Sequence, residues 1–166
     1  MTDGGDSFVD ATADAARAMS IQVIAIAIGE SILSPGLEAL VDKPEDILTI
    51  KSYTALPSLL NVLAMFFCEI FRHAPELFDH HDVLSSGKPC EPSDVVFVMD
   101  ETTSIKEEEY YVMKQFLVDM AYRLLEYPDN RVSYVAFHSI PFVISGLTDD
   151  RDAFLALVNN RTYNPS

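Results

Sequence analysis

One stretch of this chain decides its fold: Asp94-Val95-Val96-Phe97-Val98-Met99-Asp100-Glu101-Thr102-Thr103-Ser104. It opens with an apolar run over residues 95–99, rich in β-branched side chains, with Pro92-Ser93-Asp94 before it and polar residues after it. A short, uninterrupted run of this kind predicts a strand that is buried on both faces, as in a parallel sheet.

Three oxygen-bearing side chains, Asp100, Thr102 and Ser104, follow that strand at every second position. Alternate side chains at a strand end can converge on one point, and in open α/β sheets this edge is where ligands bind. A carboxylate with two hydroxyls is a hard, oxygen-only donor set, which suits Mg²⁺ or Mn²⁺ better than a soft metal. The stretch therefore predicts a divalent-metal site.

The residues after this stretch predict a helix, two strands and a second helix. Ser104 and Glu107 have the spacing of a capping box, which predicts that Ser104 starts the first helix. Strands are expected at 132–138 and 141–145, and a short helix at 149–159. Apolar residues recur at helical spacing along the first helix, at Val112, Met113, Phe116, Leu117, Met120, Ala121 and Leu124.

The first half of the chain alternates in the same way. Helices are expected at 8–19, 35–41 and 57–71, with Pro57 in the first turn of the last one. Buried strands are expected at 22–28 and 47–50. Helices alternating with strands are typical of the α/β class.

The run Asp100-Glu101-Thr102-Thr103-Ser104 on a buried strand resembles the Asp-x-Ser/Thr-x-Ser loop of von Willebrand factor type A (vWA) domains. In that family the loop is the first part of a metal-ion-dependent adhesion site. The resemblance implies that the hydroxyls of Thr102 and Ser104 ligate Mg²⁺ or Mn²⁺, and that Asp100 contributes, often through water.

The beginning of the chain resembles the other end of the same family. Thr2-Asp3-Gly4 matches the loop after the family's fourth strand, which implies that Asp3 is a further member of the metal site. The implied fold is Rossmann-like, a mostly parallel sheet with helices on both faces. Compared with the family, the C-terminal part of the pattern comes first in this chain and the N-terminal part second. The family's central fourth strand is missing.

Two readings explain the inverted order. In the first, which we favour, the chain is a fragment of a protein with tandem vWA domains. Residues 1–72 are then the C-terminal part of one domain, 73–93 a linker, and 94–166 the N-terminal half of the next. In the second, it is a permuted single domain. In both, a missing strand leaves strand edges without partners, so we expect metal binding by this chain alone to be weak or absent.

The net charge restricts the partners. Asp and Glu number 26 against 11 Lys and Arg, a net charge of −15. Such a chain is a poor candidate for nucleic acid or anionic membrane surfaces, because both attract cationic side chains. A cation or a basic partner fits better, although the charge can equally serve solubility alone. The sequence shows no secretory signal, and its most apolar stretch, 56–71, is too short and interrupted to span a bilayer.

Other candidate ligands are weaker. Asp79-His80-His81-Asp82 is expected to be a solvated loop, and His138 a partly buried structural histidine. The spacing of Cys68 and Cys90 fits no zinc motif. The family resemblance implies disulfides, either to cysteines outside this chain or between these two; two reduced thiols are the alternative.

The sequence thus favours a non-catalytic binding module of an extracellular matrix or cell-surface protein, whose partner offers a carboxylate to the metal. An aspartate-based phosphoryl-transfer enzyme is the first alternative, with Asp100 as nucleophile. Thr102 stands where such sites usually carry a second acid, which counts against this alternative. The other is a structural spacer with a vestigial metal loop.

Overall fold

The computed structural model describes residues 5–29, 35–66, 92–137 and 140–164. The chain divides into two compact units, Met1–Ala55 and Leu56–Ser166. The domain limits expected from the sequence, 1–72 and 94–166 around a linker, stay a prediction.

The first unit contains two helices and two short strands. Helix α1 spans Gly5–Ala18, strand β1 Ala25–Ile28, helix α2 Pro35–Leu40 and strand β2 Ile47–Ile50, with a 3₁₀ turn at Pro44–Asp46 before β2. The two strands pair in parallel, Ala25 with Ile47 through Ile28 with Ile50. Helices and strands therefore alternate here as the sequence predicts.

Small side chains form the described core of this unit. Ala13 of α1, Ala27 of β1 and Val41 are each no more than 4% exposed. Arg17 adds polar contacts around them. Its guanidinium donates to the Asp14 and Asp42 carboxylates, both at 2.8 Å, and to the carbonyl oxygens of residues 39 and 41.

The second unit is built on a mixed three-stranded sheet, after a 3₁₀ segment at Tyr53–Ser58 that spans the boundary between the units. Strand β3 pairs in parallel with β4, and β4 pairs antiparallel with β5. This confirms a mixed α/β fold. The elements are α3 (Leu59–Phe66), β3 (Asp94–Asp100), α4 (Glu107–Leu124), β4 (Arg131–Phe137), β5 (Pro141–Thr148) and α5 (Arg151–Asn160).

Large side chains fill the core of the second unit. Alternate residues of β4 point into it, because successive side chains of a strand face opposite sides of the sheet. Val132, Tyr134 and Ala136 are at most 1% exposed. Helices α4 and α5 contribute the remaining side chains buried to a similar degree, Tyr110, Met120, Ala121, Phe154 and Val158.

The expectation that β3 is buried on both faces is wrong. Val95 and Met99 are buried on one face, whereas Val96 and Val98 on the other are 52% and 69% exposed. Strand β3 is an edge strand among the described strands, with β4 as its partner there. An uninterrupted apolar run in the sequence does not show which face of the strand is covered by other parts of the protein.

The predicted start of the long helix is also wrong by two residues. Helix α4 begins at Glu107, with Lys106 as its N-cap, and the Lys106 N–H donates to the Glu109 side chain at 2.9 Å. A capping box needs a glutamate three residues after the cap, and Glu107, Glu108 and Glu109 are consecutive. The spacing alone therefore does not decide between a cap at Ser104 and one at Lys106. Ser104 is left in the loop between β3 and α4.

Several predictions fall on residues outside the described ranges. These are Asp3, both cysteines, His138 and the 79–82 loop. Among the helices of the described ranges, none combines the length and apolar character that crossing a bilayer requires.

Candidate metal-binding loop

The loop that connects β3 to α4 carries the three predicted ligands, and two of them are in contact. The Thr102 and Ser104 hydroxyl oxygens lie 2.7 Å apart. The Asp100 Oδ1 accepts a hydrogen bond from the Thr102 N–H at 2.8 Å, which closes a tight turn at the start of the loop. Asp100 and Ser104 are exposed and Thr102 is partly exposed, so the group faces solvent.

The spacing of these oxygens fits a small divalent cation. Two ligands at right angles, each about 2.1 Å from Mg²⁺, are about 3 Å apart. The hydroxyl separation of 2.7 Å is close to that value. Two hydroxyls and a carboxylate are also the hard donors that Mg²⁺ and Mn²⁺ prefer. The two hydroxyls could therefore serve as neighbouring ligands of such an ion, with Asp100 as the carboxylate of the donor set.

The loop supplies only one negative charge to this group. In the described ranges, no three His, Cys, Asp or Glu side chains cluster as a metal site. Asp3, predicted as a further member of a metal site, lies outside those ranges, and its place beside Asp100, which only the permuted-domain interpretation implies, stays a prediction.

Glu101, between two candidate ligands, points the opposite way. It is 3% exposed, because side chains alternate at the strand end. The guanidinium of Arg161 donates to both of its carboxylate oxygens, at 2.6 and 3.3 Å. The Tyr134 hydroxyl donates to the same carboxylate at 2.5 Å. A buried carboxylate needs such partners, since an unpaired charge in the interior is strongly unfavourable.

The buried ion pair changes the electrostatics of its neighbours. Burial raises the pKa of the Tyr134 hydroxyl, and its hydrogen bond to Glu101 raises it further. Burial and the charge of Glu101 also raise the pKa of Tyr110, and Arg161 partly offsets this rise. Burial lowers the pKa of Arg161, but the hydrogen bond and charge of Glu101 outweigh this, so the net shift is upward.

The far end of the loop is held by the same C-terminal segment. The Tyr163 hydroxyl donates to the carbonyl oxygen of Ile105 at 2.5 Å, and its ring lies 5.4 Å from that of Tyr110. The Ile105 N–H donates back to the Thr102 carbonyl oxygen at 3.1 Å. The loop is therefore fixed on both sides of its exposed hydroxyls.

Sequence reasoning missed Glu101, Tyr134, Arg161 and Tyr163. Alternation after Asp100 could have indicated that Glu101 faces inward, because it lies between two side chains predicted to face outward. No periodic pattern connects it to Arg161, sixty residues later in the chain.

The chain matches no protein-family model and no curated protein. Among solved structures, it is similar to three of proximal thread matrix protein 1 from the mussel byssus, one of them with a zinc-occupied MIDAS motif. Identities are 21–22% and TM-scores 0.39, over 94–99% of this chain. The chain spans 38–39% of the mussel protein chains.

Proposed function

We propose that this chain is a non-catalytic protein-binding module that uses a divalent-metal adhesion site. Asp100, Thr102 and Ser104 hold Mg²⁺ or Mn²⁺, and Asp3 joins this site if the chain is a permuted domain or belongs to the preceding domain's site if the domains are in tandem. The parent protein is a multi-vWA protein of the extracellular matrix or cell surface. Its partner is a protein that offers a carboxylate to the metal.

One observation supports this proposal: the three oxygen-bearing side chains lie in a single solvent-facing loop at the carboxyl end of β3, with two of them in contact. The hydroxyl oxygens of Thr102 and Ser104 are 2.7 Å apart, and the Asp100 carboxylate accepts a hydrogen bond from the Thr102 N–H. An exposed group with few protein ligands leaves coordination positions open. A bound cation supplies positive charge there, which an otherwise acidic chain needs in order to attract a carboxylate.

Calorimetric titration of Mg²⁺ and Mn²⁺ into the chain extended at both ends tests the metal site, because this chain alone is expected to bind metal weakly or not at all. We expect binding that is lost in Asp100→Asn and weakened in Ser104→Ala. Asp152→Asn is the matched control, because Asp152 is highly exposed and lies on α5. Absence of binding heat in the unmodified extended chain, or equal loss in the control, would count against the proposed site and favour the spacer.

The bridging role needs a second experiment. A surface that displays glutamate peptides is compared with the same surface carrying glutamine, with Mn²⁺ and with EDTA. We expect retention of the chain on the glutamate surface in Mn²⁺ alone. Turnover of a generic phosphate ester in Mg²⁺, abolished in Asp100→Asn, would instead establish the phosphoryl-transfer alternative.

A further inference from the structure

We propose that the segment Arg161–Tyr163, which follows α5, is a clamp that sets the conformation of the 100–105 loop, with Arg161, Tyr163 and Glu101 as positioning residues. The clamp is a property of the chain without metal. Its effect on metal affinity rests on the proposed function.

The clamp contacts the loop near its start, at Glu101, and at its end, at Ile105. At the start, Arg161 holds Glu101 through both carboxylate oxygens, while the Glu101 N–H donates to the Phe137 carbonyl oxygen at 2.7 Å. At the end, Tyr163 holds the Ile105 carbonyl oxygen. The candidate ligands Thr102 and Ser104 lie between these two attachments, so their backbone has little freedom to move.

The clamp is itself anchored to the long helix. The Lys114 ammonium donates to the carbonyl oxygens of Asn159 and Arg161, at 3.2 and 3.1 Å. These contacts satisfy carbonyl groups at the C-terminal end of α5, where a cation is also favoured by the helix dipole. The Arg161 guanidinium lies over the Tyr134 ring and over the Phe142 ring, 5.7 and 5.9 Å from their centroids. The segment is thus held from several directions.

An ion pair of this kind could be purely a folding feature. A carboxylate with 3% exposure stabilises little by itself, because desolvation offsets much of the attraction. The hydrogen bond from Tyr163 to Ile105 supports a role in positioning the loop. Tyr163 contacts the loop backbone and contributes no buried charge. Groups that orient ligands from behind typically change metal affinity 10- to 100-fold when they are removed.

Tyr163→Phe is the sharpest test, because it deletes one hydroxyl and keeps the ring contact with Tyr110. In EDTA, we expect amide hydrogen exchange over Thr102–Ile105 to rise about fivefold, the effect of losing roughly 1 kcal/mol of hydrogen bonding. Tyr127→Phe, at a 43% exposed tyrosine, is the control and should leave exchange unchanged. Unchanged loop exchange in Tyr163→Phe would overturn the clamp whether or not metal binds.

Mn²⁺ titration of the chain extended at both ends then tests the consequence for the site. We expect about tenfold weaker binding in Tyr163→Phe and in Glu101→Gln, with the thermal midpoint of Tyr163→Phe lowered by only a few degrees. Arg161→Lys keeps the charge but loses the two-point contact, and should fall between. If the loop amides respond and the unmodified extended chain binds no Mn²⁺, the clamp stands and the proposed function fails. If Mn²⁺ binds equally in all variants, the clamp does not position ligands.

Discussion

The two compact units differ in what they bury. The described apolar core of the first unit consists of small side chains, Ala13, Ala27 and Val41. The two strands of this unit are only four residues long. The second unit buries large ones, such as Tyr134 and Phe154, against strands of seven or eight residues. Because stabilisation follows the apolar area buried, the second unit should be the more stable. The first depends more on polar contacts, chiefly those of Arg17.

The largest expected effect is in the core of the second unit. Phe154→Ala should lower its free energy of unfolding by about 3–5 kcal/mol, since the ring is 1% exposed and leaves a cavity. Leu48→Ala, at a half-buried position of β2, should lower that of the first unit by about 1 kcal/mol. Urea unfolding followed by amide exchange in each sheet measures both. Equal losses would contradict the comparison.

A smaller effect is expected at Asn130, a buried side chain of the second unit. It accepts from the Ser93 N–H at 2.8 Å and donates to the Leu124 carbonyl oxygen at 2.9 Å. Asn130→Ala leaves both groups without this partner and should destabilise by about 1–3 kcal/mol. Asn159→Ala, at an exposed helix position, should stay within about 0.5 kcal/mol. Thermal unfolding of the two variants makes the comparison.

Arg17→Ala probes the polar contacts of the first unit. Removing four hydrogen bonds from a partly exposed side chain should cost about 1–2 kcal/mol. Amide exchange of Ala25–Ile28 should accelerate, while that of Arg131–Phe137 stays constant. Arg17→Lys should recover little, because a single ammonium cannot reach the same set of acceptors. Equal acceleration in both sheets would show that the units unfold together.

The smallest effect concerns the surface pair of Asp94 and Arg131, 2.6 Å apart. The hydrogen bond from Arg131 holds the Asp94 pKa below its ordinary value of 3.8. A lowered folded-state pKa adds stability above that ordinary value, and this stability is lost as the pH falls through the folded pKa. Asp94→Asn should therefore slightly flatten the acid side of the stability profile. The difference should vanish at high salt, which screens exposed pairs.

Most of the described helices and strands were predictable from the local pattern of apolar and polar residues. The apolar runs at 47–50 and 95–99 are strands, and the stripe after Ile105 is helix α4. Spacing alone also predicted that Thr102 and Ser104 lie together in the loop after β3, as they do, whereas metal binding by Asp100, Thr102 and Ser104 stays a prediction. The exposed face of β3 was not, because exposure depends on what other segments cover. The contact of Glu101 with Arg161 was missed for the same reason, since burial and pairing are set by tertiary packing.

The place of β3 at the edge of the described sheet has a consequence for handling the protein in solution. A seven-residue strand rich in valine, without lysine or proline and with no second partner among the described strands, is a ready template for pairing between molecules. Repulsion among chains of net charge −15 opposes that pairing at low ionic strength. Adding salt weakens this repulsion and leaves the apolar attraction of Val96 and Val98 intact. Purification in concentrated salt should therefore promote aggregation, and a lysine at position 96 or 98 should suppress it.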